Sequence, residues 1–168
     1  MSTYITSFAE VQRDGVWKKV GEIFPDRFFD RVELKDHPFG NQNYAVFGFL
    51  ANVRNYSMCE CVTYYYGLPD DVSQEIQEDY ESWEEYHTAC HCYLDDLLDV
   101  DYDREFENRR VTREIMPNVF NGAAIAKEGE GKMMTYKEHL GEEFFEHLAI
   151  LKELGDPENV RVVYWFDG

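Results

Sequence analysis

Four cysteines stand in two tight groups, Cys59/Cys61 and Cys90/Cys92, with His87 and His91 beside the second pair. Thiolate and imidazole are the usual ligands of structural zinc, so metal binding is the first chemistry to weigh. In an extended segment residues two apart point the same way, which aims each cysteine pair to one side. Structural zinc sites, however, space their cysteine pairs by two to four residues, and a one-residue gap is strained on a single ion. The cysteines therefore read as reduced, buried thiols, and neither a metal nor another cofactor is expected. A nucleophilic pair of Cys90 with His87 is disfavoured, because the surrounding charge is negative and opposes a thiolate.

A second set is Arg54, Asn55 and Tyr56, which follow an amphipathic stretch and precede a turn. A scaffold presents polar groups to a ligand at such places. Arg54 would bind phosphate or carboxylate, and Tyr56, Trp83 and His87 would stack on a base, giving a pocket for a nucleotide-type signal. Arg54 could equally neutralise nearby acids or favour a helix C-terminus. No dinucleotide fingerprint, P-loop, nucleophile elbow or HExxH occurs. No complete set of nucleophile, base and electrophile can be named, so the reading leans away from an enzyme.

The third set is acidic. Sixteen Lys and Arg against 34 Asp and Glu give a net charge of −18, and residues 70 to 107 carry −14 of it through 15 acids and Arg104. Direct binding to nucleic acid or to anionic membranes is excluded by repulsion. Asp70 and Asp71 sit in a turn and read as helix caps. Glu75, Glu78, Asp79, Glu81, Glu84 and Glu85 follow. On a straight helix they would place about one charge per 4 Å, comparable with the roughly 3.4 Å of a DNA strand. Such a face suits a basic protein partner, among them a nucleic-acid-binding defence protein; a solvated, solubilising face is the plain reading.

The elements that must position these groups follow from pattern. The chain has 168 residues, 44% hydrophobic and 16% aromatic, enough for one globular domain spanning residues 1–168. No apolar run is long enough to cross a membrane and no signal-peptide layout is visible, so a soluble, cytosolic protein is expected. Strands over 3–12 and 16–23 are joined by Arg13-Asp14-Gly15 in a tight hairpin. A helix is expected over 43–53. Another is expected over 72–87, with Val72, Ile76, Tyr80, Trp83 and His87 on one buried stripe. A short helix over 94–100, a strand over 110–115, and a longer helix from the Thr135–Glu138 capping box to Gly155 come next. The stretch 128–132 reads as a surface loop, and 160–166 as a strand. The expected fold is α+β: an N-terminal β-hairpin and a C-terminal strand in a mostly antiparallel sheet, packed against three to four helices.

Asn43-Tyr44, Phe47-Gly48-Phe49-Leu50-Ala51, Val53-Arg54-Asn55-Tyr56, Gly67-Leu68-Pro69-Asp70-Asp71-Val72-Ser73, His87 and the ending Val160-Arg161-Val162-Val163-Tyr164-Trp165-Phe166-Asp167 resemble a family of small bacteriophage-encoded proteins of uncharacterised activity. The likeness spans residues 43–103 and 155–168 and, more loosely, 4–24. It lapses at Cys90-His91-Cys92 and around Arg109 to Lys132. The resemblance implies a phage accessory protein acting in the host cytoplasm on a host factor, and implies no activity. A second copy of the chain, as a homodimer, is the other partner considered.

Overall fold

Asp14 and Gly15 both adopt positive φ, 52° and 76°, as a two-residue hairpin turn requires. They join β1 (Tyr4–Arg13) to β2 (Val16–Val20) in the register Arg13↔Val16 to Ala9↔Val20. The computed structural model describes residues 1–116 and 120–168. Residues 117–119, part of the stretch where the family resemblance lapses, lie outside the described residues. The remaining strands are β3 (Phe24–Phe28), β4 (Arg31–Lys35), β5 (Tyr65–Tyr66), β6 (His87–Tyr93), β7 (Glu105–Asn108), β8 (Arg110–Met116), β9 (Phe120–Ile125), β10 (Lys132–Thr135) and β11 (Val160–Asp167). The helices are α1 (Tyr44–Ala51), α2 (Gln74–Glu81), α3 (Leu94–Leu98), α4 (Tyr136–Leu140) and α5 (Glu142–Lys152). The architecture is α+β with antiparallel sheets, and it divides into two compact units. The first is Met1–Gln42, Val62–Val100 and Glu142–Gly168; the second is Asn43–Cys61 and Asp101–Gly141.

The first unit is built on a five-stranded sheet in the order β2-β1-β11-β6-β5, every neighbour antiparallel. Val160 to Phe166 are all buried, because a strand inside a sheet covered on both faces has no solvent side. That is why its sequence is a continuous β-branched and aromatic run rather than an alternating one. On one face Trp165 and Val163 pack with Phe8 and Ile76, and Leu68, Val72, Tyr80 and Tyr86 close around them. Elsewhere in this unit Phe144 of α5 stacks on Phe39 at 4.7 Å. His147 accepts the Phe39 N–H at 2.8 Å through Nδ1 and donates to the Pro25 carbonyl at 2.9 Å through Nε2.

Helix α2 corrects the expectation for residues 72–87. The phase of the stripe is right through Tyr80, since Ile76 is fully buried and the Tyr80 ring meets Trp165 at 5.1 Å. The helix then ends. The Ser82 N–H and hydroxyl both bond the Asp79 carbonyl, at 3.1 and 2.6 Å, and a serine that bonds locally competes with helical continuation. Trp83 is consequently 54% exposed, and His87 is exposed at the start of β6. Neither lies on a buried helical stripe. The N-cap of α2 is Ser73, so Asp70 and Asp71 do not cap it.

The second unit holds α1, the pair β7–β10, the pair β8–β9 and α4. Asn43 caps α1 by accepting the Ala45 N–H at 3.1 Å. The Thr135–Glu138 capping box opens α4 as expected. The long helix expected to run on to Gly155 is instead two, because Gly141 takes φ 84°, ψ 170°, a backbone that only glycine adopts freely. No helix among the described residues is long and apolar enough to cross a membrane.

Candidate functional site

The acidic segment is tied to the sheet at its start. Glu10, fully buried on β1, accepts the Ser73 N–H at 2.8 Å through Oε2 and Arg161 Nε at 2.8 Å through Oε1. Arg161 Nη1 reaches Asp71 Oδ1 at 2.8 Å. That hydrogen bond holds the Asp71 carboxyl below the usual aspartate range. Beyond this anchor the segment faces water. Asp70, Glu75, Glu78, Glu81, Glu84 and Glu85 are exposed and Asp79 is half-buried. Glu75 lies 3.7 Å from Lys19 Nζ. Among the described residues, Asp70, Glu78, Asp79, Glu81, Glu84 and Glu85 form no ion pair. Because α2 is eight residues long, the even charge ladder expected over residues 72–87 extends only to Glu81. Glu84 and Glu85 sit in the following turn, directly after Trp83.

Arg54, Asn55 and Tyr56 belong to the second unit, whereas Trp83 and His87 belong to the first. The loop that carries the three is unusual: Asn52, Arg54 and Met58 have φ of 58°, 51° and 59°, left-handed values that tertiary contacts must enforce outside glycine. Asn55 does so. Its Nδ2 donates to Asn52 Oδ1 and to the Cys59 carbonyl, both at 2.9 Å, and its Oδ1 accepts the Ser57 hydroxyl at 3.0 Å and the Cys59 N–H at 3.2 Å. Its amide is used up in holding the turn, which makes it a structural tie. Arg54 Nη1 donates to the Tyr56 hydroxyl at 3.0 Å, and its guanidinium lies 5.6 Å from the Tyr44 ring centroid. The C-terminus of α1 is closed by Asn52, without a basic residue in its last turn.

Arg54 opens onto a concave pocket of about 270 Å³ whose lining includes Tyr44, Ser57, Arg110, Glu138 and His139. Ser57 Oγ and His139 Nε2 stand 3.3 Å apart, a spacing that invites comparison with a nucleophile and its base. The hydrogen bonding argues otherwise. With the Ser57 proton on Asn55 Oδ1, the imidazole Nε2–H is the donor to Ser57, so the ring cannot take the hydroxyl proton. Burial, aided by the charge of Arg110, also pulls the His139 pKa down to about 4, too low for an effective base near neutrality. The pair is a fixed polar contact in a pocket wall.

No local pattern in the sequence points to Ser57, Arg110 or His139. They are brought together because the β7–β10 ladder pairs Glu105 with Thr135 and Asn108 with Lys132, a register that no local pattern announces. The one visible signal was Arg109-Arg110, the first adjacent bases after the acidic run.

All four thiols are free. Cys90 and Cys92 are buried on one side of β6, opposite Tyr164 and Val162, as the two-residue strand period requires. Burial raises the Cys59 thiol to about 11 and the Cys90 thiol to about 12, and raises Cys61 and Cys92 as well. Cys59 and Cys61 belong to the other unit. Among the described residues no group of three or more His, Cys, Asp and Glu side chains is arranged to hold a metal.

No protein-family model matches this chain, and neither do any curated proteins or solved structures.

Proposed function

We propose that this chain is a non-catalytic binding protein that captures a basic protein partner on the acidic face formed by α2 and the turn after it. The partner class implied by the phage resemblance is a cytoplasmic host factor with a basic groove, such as a nucleic-acid-binding defence protein. The observation that carries the reading is Trp83. It is a large indole 54% exposed, flanked in sequence by Glu81, Glu84 and Glu85, carboxylates with no ion pair among the described residues. Tryptophan is strongly enriched among the residues that dominate binding energy at protein interfaces. Unneutralised carboxylates around it steer a cationic surface and fix its orientation. An indole adds nothing to solubility, whereas at an interface it supplies a large, rigid contact area.

The test uses two variants of the full chain against an arginine- and lysine-rich DNA-binding domain immobilised on a sensor surface. The quadruple change Glu78→Gln, Glu81→Gln, Glu84→Gln and Glu85→Gln is expected to slow association and flatten its salt dependence, while Trp83→Ala speeds dissociation. Binding that is indifferent to both, or that does not weaken as salt shortens the screening length from about 10 Å toward 3 Å, overturns the reading.

A further inference from the structure

The pocket beside Arg54 is at odds with the charge of the rest of the molecule. In a chain with 16 basic and 34 acidic residues, two guanidinium groups, Arg54 and Arg110, line one concavity of about 270 Å³. Arg110 forms no ion pair among the described residues. Among the described residues the lining holds one carboxylate, Glu138, whose Oε1 accepts the Thr135 N–H at 3.2 Å and the Thr135 hydroxyl at 3.0 Å. Tyr44 and Ala45, the first residues of α1, also line the cavity, and the first turn of that helix carries no acid. The helix end therefore adds its partial positive charge to that of the two arginines. The Arg54 guanidinium is oriented by its hydrogen bond to the Tyr56 hydroxyl at 3.0 Å and by the Tyr44 ring, whose centroid lies 5.6 Å away.

We propose that this pocket binds a small phosphomonoester. Two planar guanidinium groups line the one concavity, and their two positive charges exceed the single negative charge of a carboxylate. The three terminal oxygens and nearly two negative charges of a phosphomonoester match them. The volume lies at the lower edge of small-ligand pockets, roughly 300–1,000 Å³. It holds the phosphate and a small group attached to it. The site is separate from the acidic face, and each stands or falls alone.

The probes are phenyl phosphate and benzoate, which share a ring and differ in the anion, titrated into the full-length chain by calorimetry at low salt. Phenyl phosphate is expected to bind saturably, and benzoate at least about tenfold more weakly. Arg110 is exposed, so Arg110→Gln is expected to leave the melting temperature unchanged and to weaken phenyl phosphate by about tenfold or more, as loss of a charge-assisted hydrogen bond does. Arg54→Lys, which keeps the charge and removes the fork, is expected to weaken it as well. Absence of saturable phenyl phosphate binding, equal affinity for benzoate, or undiminished affinity in Arg110→Gln overturns the assignment.

Discussion

Asn55 is packed so tightly against Gly48 that a β-carbon on the glycine would lie 2.8 Å from Asn55 Oδ1 and 3.1 Å from Asn55 Cα. The helix residue and the loop residue therefore specify one another. Only a helix bare at position 48 admits the asparagine whose amide holds Asn52, Ser57 and Cys59 in the left-handed turn.

Gly48→Ala is accordingly expected to destabilise, against the usual gain of about 1 kcal/mol for this change inside a helix. The clash involves backbone as well as side chain, which places the expected loss at about 1–3 kcal/mol. Urea denaturation measures it, and a variant more stable than the parent would remove the case for a glycine-dependent loop.

Arg161 and Glu10 are 1% and 0% exposed, so neither can lose its partner to water. Arg161→Leu leaves the Glu10 carboxylate buried and uncompensated, and the expected loss is about 3–5 kcal/mol. Asp71→Asn touches the same arginine from a side chain 63% exposed and is expected to change stability by about 1 kcal/mol or less. Equal losses in the two variants would contradict the division between buried pair and surface partner.

Two of the three tryptophans, Trp165 and Trp83, separate in the same way. Trp165 is fully buried and ringed by Phe8, Tyr80 and Tyr86, so Trp165→Ala is expected to lose about 3–5 kcal/mol. Trp83→Ala should stay within about 0.5 kcal/mol of the parent. Acrylamide quenching gives an independent check: the Trp83→Ala protein should lose the most accessible component of the fluorescence.

Much of this was legible in sequence where a local rule decides the outcome. Asp14-Gly15 announced its turn, the spacing of Tyr44, Phe47, Leu50 and Ala51 its helix, Thr135 and Glu138 their capping box, and the run from Val160 to Phe166 its strand. Local rules do not decide the outcome where the deciding contact is distant in the chain. The four-three spacing continues arithmetically from Tyr80 to Trp83 and His87, but residues from 87 onward form a better ladder with β11, Cys90 opposite Tyr164 and Cys92 opposite Val162. That strand was invisible because its partner lies far along the chain. Of the pocket only Arg54 was legible, for the same reason, since Ser57, Arg110 and His139 meet only after the β7–β10 ladder has formed.

A pH dependence follows from His139, whose folded pKa is depressed from 6.5 to about 4 chiefly by burial. Folding favours the neutral ring, so the unfolded chain binds the proton more readily. The contribution to stability is complete above about pH 6.5 and is lost as pH falls through about 4. His139→Phe is expected to show a shallower loss of stability across that interval than the parent, by denaturant titrations at matched pH. Parallel curves would mean that the ring is not desolvated.

The placement of β11 between β1 and β6 has a kinetic consequence. Its pairing with β1 joins Phe8 to Val163 and Val11 to Val160, and between those partners the chain passes twice through the second unit. The middle of the sheet therefore cannot assemble by zipping neighbouring hairpins; it waits for a closure across nearly the whole chain. Such a topology belongs with the slow, milliseconds-to-seconds class of folders. Until that closure occurs, β1 and β6 each present an open edge on which another chain could settle. The interleaved course of the chain also means that no single cut separates one unit from the other.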